Sequence, residues 1–230
     1  MTRQTSKGTC TFCHKEMSKS GMTRHLETCE QRAAAQAKPS GRAKSQKTRA
    51  FHLIVEGRNL PMYWMHLEVP SGTTLATLDQ FLRNIWLECC GHLSAFEIGG
   101  VHYSVDEARL DDDWGGHDKS MRVRLDKVLS PGDACSYEYD FGSTTELKLK
   151  VVSEREVEGK EQGIQIIARN SVPLIPCDVC GKPATSICSE CIYEDKGYLC
   201  DACADDHECG EEMLLPMVNS PRAGVCAYAG

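Results

Sequence analysis

Alternation of apolar and polar side chains begins abruptly at residue 51. FHLIVEG (51–57) and MYWMHLEV (62–69) flank a short turn at 58–61 and read as a hairpin or adjacent strands. After Ser71-Gly72 the period changes. Leu75, Leu78, Phe81, Leu82, Ile85 and Trp86 recur at intervals of three and four residues, one face of a helix, with Thr73 or Thr74 available as N-cap and Gly91 as a stop. Short strands are then expected at 96–101, 121–125, 135–140, 146–152 and 163–168. In the fourth of these Leu147, Leu149 and Val151 fall on a buried face and the lysines on a wet one. Pro131-Gly132 marks a turn before residue 135. The predicted body is α+β, a mixed β-sheet with one long helix packed across it.

Residues 34–50, AAQAKPSGRAKSQKTRA, lack aromatic and branched aliphatic residues and have the composition of a basic flexible linker. Four segments follow: 1–33, 34–50, 51–170 and 171–230. Charge divides the same way. Residues 1–50 hold 11 basic and 3 acidic side chains, whereas the remainder holds 15 basic and 30 acidic, within a total of −7. A basic arm that can meet a polyanion is thus joined to an acidic body that would repel one. The start MTRQTSKGTC has no apolar stretch of the secretory kind, and no apolar run reaches the 18 or so residues needed to cross a bilayer. A soluble protein of a prokaryotic cytoplasm, without membrane contact, is the expectation.

Fourteen cysteines fit either disulfides or zinc thiolates. Four C-x2-C pairs, Cys10/Cys13, Cys177/Cys180, Cys188/Cys191 and Cys200/Cys203, favour zinc, because disulfide frameworks have no reason to keep two intervening residues so regularly.

Cys10, Cys13, His25 and Cys29 form the first set, with His25 and Cys29 one helical turn apart. Met17, Met22 and Leu26 would supply a small core, and zinc most of the folding energy, since so short a segment buries little apolar surface. The pattern resembles a C2HC zinc finger, one residue shorter between its second and third ligands than the usual C2H2 spacing. In such a finger the helix would span roughly 20–31. Lys19, Ser20, Thr23 and Arg24 then stand early on it, where base edges or phosphates are reached. Arg32, Lys38, Arg42, Lys44, Lys47 and Arg49 would add phosphate contacts, making DNA or RNA a candidate partner of residues 1–50. One finger reads only about three base pairs. The competing reading has the finger docking on the body or on a protein partner.

Cys177, Cys180, Cys188, Cys191, Cys200, Cys203, His207 and Cys209 make two more sets of four, and three zinc ions are expected in all. With all four positions filled by protein, such sites are structural rather than catalytic. The module resembles the B-box and related cross-braced fingers. That resemblance implies Cys177/Cys180/Cys200/Cys203 in one site and Cys188/Cys191/His207/Cys209 in the other, with sequential pairing as the alternative. The tail ends Asn219-Ser-Pro-Arg222-Ala-Gly-Val-Cys226, a rigid turn presenting one cation. Cys226 is open to three readings: a buried small hydrophobe, a ligand in place of Cys209, or a reactive thiol.

The helix at 75–86, Cys90-Gly-His-Leu-Ser-Ala-Phe96 and Tyr137-Glu-Tyr-Asp-Phe-Gly142 together resemble the plasmid Ri ORF-3-like family over roughly residues 50–170. The resemblance implies an α+β, somewhat β-grasp-like fold, carries no established activity, and makes the zinc modules at both ends additions. Family members usually continue past the glycine with an acidic residue, a tryptophan and a histidine. Here Gly142 is followed by Ser-Thr-Thr-Glu-Leu, so a site built on those residues would be missing.

Chemistry outside the cysteine sets is sparse. Asp111, Asp112, Asp113, Trp114, His117 and Asp118, with Asp140, suggest either an oxygen-ligand cation site for a metal-dependent enzyme or a solvated loop around Gly115-Gly116. His92 reads as a helix-end cap, and Cys89 and Cys90 as packing, since adjacent side chains point apart. Tyr137, Tyr139 and Phe141 are either a packed aromatic face or a stacking platform for bases. No Walker A, Rossmann glycine, H-E-x-x-H or G-x-S-x-G pattern occurs. The leading reading is a zinc-containing, non-enzymatic binding or adaptor protein. It would meet nucleic acid through the basic arm, or a protein partner through the acidic body.

Overall fold

The computed structural model describes residues 6–36, 47–105, 118–158 and 163–230, with the side chains of residues 47 and 158 excepted. Its strands are β1 (Lys7–Cys10), β2 (Glu16–Ser18), β3 (Lys47–Gly57), β4 (Trp64–Pro70), β5 (Ser94–Ile98), β6 (Val101–Ser104), β7 (Lys119–Ser120), β8 (Ala134–Tyr139), β9 (Thr145–Glu158), β10 (Gln165–Asn170), β11 (Ser186–Cys188), β12 (Tyr198–Leu199) and β13 (Leu214–Pro216). The helices are α1 (Lys19–Thr28), α2 (Glu30–Gln36), α3 (Leu75–Leu82) and α4 (Asp201–Ala204). Ten strands form one mixed sheet in the order β2-β1-β10-β4-β3-β9-β8-β5-β6-β7, and β12-β11-β13 form a second. A large mixed sheet with few helices is the architecture.

Register explains the core. Leu53 lies opposite both Leu67 and Val151, Val55 opposite Met65 and Leu149, and Tyr137 opposite Leu147 and Phe96. Because side chains alternate with period two, these residues share one face. The apolar stripe of α3, Leu75, Leu78 and Leu82, joins them in a single buried cluster with Trp86 and Leu87. Thr74 caps α3, its hydroxyl accepting from the Thr77 N–H at 3.2 Å. The helical segment does not run on to Gly91. It widens into a π-helical turn over Arg83–Leu87 and ends at Glu88. That turn brings Arg83 inward, where it donates to Asp79 (2.9 Å), Ser94 (2.8 Å) and Glu88 (2.9 Å).

Three sequence expectations shift. Residues 121–125 are not a strand. Met121 and Leu125 are buried as their alternation required, but the carbonyls of Met121 and Val123 accept the N–H groups of Ala76 and Leu75, satisfying orphan donors at the start of α3. The segment 96–101 is a hairpin, β5 to β6, turning at Gly99-Gly100, whose positive φ values (57° and 78°) suit a tight two-residue connection. Of the segment read as a basic linker, residues 34–36 belong to α2 and 47–50 to β3, and 37–46 lie outside the described residues.

The N-terminal finger is also part of the sheet. Strand β1 pairs antiparallel with β10 from Gly8/Asn170 to Cys10/Ala168. Trp64, Ile167 and Ala168 of the body close the finger's core with Met22 and Leu26. Gly8 permits this approach: a Cβ there would stand 2.3 Å from the Arg169 carbonyl oxygen and 2.5 Å from the Trp64 ring. Among the described residues no helix is long and apolar enough to cross a membrane.

Candidate metal centres

Among the described residues, four Cys/His groups have ligand atoms within 4.8 Å of one another. Two are interleaved in the C-terminal module. In the finger, Cys10 ends β1, and a turn through His14 (φ 58°) carries the chain back past Cys13. Ser18 caps α1 by accepting from the Gly21 N–H. That helix presents His25, whose Nε2 lies 3.1 Å from the Cys13 Sγ. Cys29 breaks the helix into α1 and α2 and completes the group.

In the C-terminal module Cys177, Cys180, Cys200 and Cys203 form one group, and Cys188, Cys191, His207 and Cys209 the other. This is the interleaved arrangement; sequential pairs are not brought together. Cys180 and Cys200 Sγ atoms are 3.5 Å apart, Cys191 and Cys209 3.6 Å, and Cys191 Sγ lies 3.5 Å from His207 Nε2. A tetrahedral zinc with Zn–S near 2.3 Å and Zn–N near 2.0 Å has S···S edges of about 3.8 Å and S···N edges of about 3.5 Å. The donor spacing fits that ion.

Electrostatics within these groups is asymmetric. Burial pushes the Cys177 thiol up, but backbone N–H groups of Cys200, Cys180 and Val179 outweigh it and bring it down to about 6. At Cys203 the neighbouring thiols of Cys180 and Cys200, then burial, push the value up to about 12. Cys188 comes down to about 7, against burial, through the Cys191 N–H and His207, while burial and then Cys209 and Cys188 raise Cys191 to about 12. In each group one thiol is thus lowered toward the thiolate while a neighbouring thiol is raised. That is the donor chemistry of a soft divalent ion.

The fourth group, Cys89, Cys90, His92 and Cys226, brings together residues that sequence reasoning had kept apart, although Cys89 also packs against the central core as expected. Cys89 and Cys90 lie in an irregular bend after the π-helical turn rather than on a strand, so adjacent side chains converge, their Sγ atoms 3.6 Å apart. His92 does not cap a helix, which has already ended at Glu88; its Nε2 lies 2.9 Å from Cys90 Sγ and 3.5 Å from Cys226 Sγ. Cys209 keeps its own group, so Cys226 is not its substitute. The missed signal was Cys-Cys-Gly-His, a ligand spacing hidden by the assumption of regular backbone around it.

Beside this group lies a buried polar network. Tyr137 and Ser94 donate to Asp79 at 2.7 and 2.6 Å, and Tyr139 donates to Glu88 at 2.9 Å. Arg222, read from sequence as a presented cation, is fully buried. It donates to Asp140 (2.7 Å), Thr145 (3.0 Å) and the Ser143 carbonyl (3.0 Å), and lies 3.4 Å from Cys89 Sγ. Burial raises Asp140, but Arg222 and the N–H groups of Gly142 and Ser143 hold it below the usual carboxylate range. Tyr137 and Tyr139 are buried here, so they form no exposed platform for bases.

The basic residues divide. Arg32 is buried, donating to the Leu26 carbonyl (2.7 Å) and Glu68 (2.8 Å), which corrects its assignment as a phosphate contact. Lys19 pairs with Glu56, and Arg49, though exposed, pairs with Glu154 and Asp126. Arg24 is exposed. Lys38, Arg42 and Lys44 lie outside the described residues, as does the side chain of Lys47. The Asp111, Asp112, Asp113, Trp114 and His117 cation-site reading likewise falls outside them; Asp118 is half-buried, and Asp140 is engaged by Arg222.

Fold and site together define a sheet protein bearing Cys/His groups fit to hold metal. The chain belongs to the plasmid pRiA4b ORF-3-like protein family, whose model matches residues 51–197. The match runs beyond the central sheet into the C-terminal module, past its candidate ligands Cys177, Cys180, Cys188 and Cys191. No curated protein matches. Among solved structures, a protein of unknown function, MM3350 from Methanosarcina mazei Go1, is 22% identical, covering 58% of this chain and 76% of that chain at a TM-score of 0.44.

Proposed function

We propose that this chain is a zinc-dependent, non-enzymatic binding scaffold of a prokaryotic cytoplasm. The observation that carries the reading is the composition of the finger group and the two C-terminal groups. Each offers four protein donors at tetrahedral spacing, leaving no position for water or substrate. Zinc there fixes shape. The β-grasp-like likeness of the central body belongs to the same reading, as does the segmentation into finger, linker, sheet and double-zinc module. In this scaffold nucleic acid is met by the exposed Arg24 and the basic stretch after α2.

The test is fluorescence anisotropy of the full, zinc-loaded chain on a labelled duplex and a labelled single strand. Affinity at about 50 mM salt that falls log-linearly as salt rises is expected. Absence of binding at that salt would remove nucleic acid as the partner. A second reading, a protein partner, is favoured by one observation: Lys19 and Arg32 are spent on Glu56 and Glu68, docking the finger on the body rather than freeing it. A copurifying protein that survives nuclease treatment would support that reading.

A further inference from the structure

Three sequence features left without a role, Cys-Cys-Gly-His after the helix, the Tyr-x-Tyr-Asp strand and the Asn-Ser-Pro-Arg tail, meet at one place. The tail is fastened first. Asn219 exchanges hydrogen bonds with Asn170 (2.7 and 2.8 Å), and Ser220 donates to the Trp86 carbonyl (2.6 Å). Arg222 then enters the core beside Tyr139 and Asp140. Gly224 (φ 79°) turns the chain, and Cys226 and Ala227 adopt left-handed backbone (φ 51° and 54°), a conformation uncommon for non-glycine residues. The turn delivers the Cys226 Sγ to within 3.8 Å of Cys90 Sγ.

We infer that Cys89, Cys90, His92 and Cys226 bind a fourth zinc ion, which latches the C-terminal tail to the end of the π-helical turn and is the most readily exchanged of the four. Three of the donor–donor edges, 3.6, 3.8 and 3.5 Å, match a tetrahedral set of three sulfurs and one nitrogen, while Cys90–His92 at 2.9 Å would open slightly on an ion. A disulfide requires sulfurs about 2.05 Å apart, and all of these cysteines are free. Three thiolates and a neutral imidazole around Zn²⁺ carry one net negative charge, and the Arg222 guanidinium beside Cys89 offsets it. Tyr139 Oη lies 3.9 Å from the same sulfur, a second outer partner. Asp140 Oδ2 stands 3.5 Å from His92 Nε2, but its charge is already answered by Arg222.

Exchange follows from exposure. The finger group has Cys10 and Cys29 buried, and the module groups have Cys177 and Cys200, or Cys188; the fourth group has no buried ligand, and Cys90 is exposed. A chelator reaches it without opening a core.

The experiment measures zinc by elemental mass spectrometry on the full chain purified under reducing conditions. It then follows release to 4-(2-pyridylazo)resorcinol over time. Four equivalents are expected, one leaving at least tenfold faster than the others. Cys226→Ser and, separately, the exposed-site variant Cys90→Ser should each hold three equivalents and lack the fast phase. Hydrogen exchange in residues 217–230 should rise once that equivalent is gone. Three equivalents in the wild-type chain, unchanged in Cys226→Ser, would overturn the inference, as would a Cys90–Cys226 disulfide found by peptide mapping. Loss of the finger or module ions with the fast equivalent retained would instead sink the scaffold reading, so the two failures are distinguishable.

Discussion

The central sheet and the C-terminal module solve the same problem with different materials. Between β3, β4, β8, β9 and α3 lies a continuous core of Phe51, Leu53, Trp86, Tyr137, Leu149 and their neighbours, enough apolar surface to fold without a ligand. The module around β11–β13 has an inner cluster of Cys177, Leu199 and Cys200, of which two belong to a group that could hold a metal ion. On the proposed reading the coordination sphere makes up much of its interior, and its stability is more a binding equilibrium than a packing energy.

The sharpest way to break this contrast is metal removal. A strong chelator at neutral pH should abolish amide-exchange protection in β11, β12 and β13, a loss on the order of the whole binding free energy, while β3 and β9 keep theirs. Equal loss in both regions would show the sheet to be metal-dependent too. The converse experiment is Trp86→Ala. Removing this fully buried ring should cost about 3–5 kcal/mol in urea unfolding of the sheet, with zinc content unchanged. Loss of the two zinc equivalents of the C-terminal module would mean that the regions are not separable.

The finger stands between these extremes, since its ligands hold its own turn while its apolar face uses Trp64 and Ile167 of the sheet. Gly8→Val should therefore undock it, costing about 1–3 kcal/mol by overpacking and raising exchange in β1 while its ion stays bound. A pH-dependent effect belongs to the buried His52–His66 pair, whose rings share a 2.8 Å hydrogen bond. Burial, with Arg32 beside the first and His52 beside the second, lowers their pKa values from 6.5 to about 4 and about 3. Because the folded values are depressed, the stability these rings contribute is present above pH 6.5 and is lost as pH falls below it toward the folded values. The slope is about 1.4 kcal/mol per pH unit for each proton taken up. Their Cε1–H chemical shifts should stay flat between about pH 8 and 5; a midpoint near the ordinary histidine value of about 6.5 would refute the assignment.

Much of this was legible in order along the chain. The alternation in 51–57 and 146–152 located strands whose partners a sheet must supply, and C-x2-C spacing located donors, because both are local periodicities. What escaped was long-range. The alternation of Met121 and Leu125 is real, but beyond one bond from the Met121 N–H to Ser104 of β6 its backbone partners lie at and just before the start of α3. Arg32 and Arg222 looked like surface cations because their acceptors, Glu68 and Asp140, lie far away in sequence. The fourth Cys/His group was hidden twice over. Its members belong to segments far apart in the chain, and two are sequence neighbours that only irregular backbone lets converge.

The pairing of β1 with β10 has a bearing on how the molecule comes into being. On a ribosome the finger's last donor, Cys29, emerges long before Gln165 opens the strand that β1 must join. The nascent finger thus has all four of its donors early, while Met22 and Leu26 lack Ile167 and Ala168 until the chain's later half has been synthesised. Docking of the finger is therefore a late event in the birth of the molecule, however soon its own turn is formed.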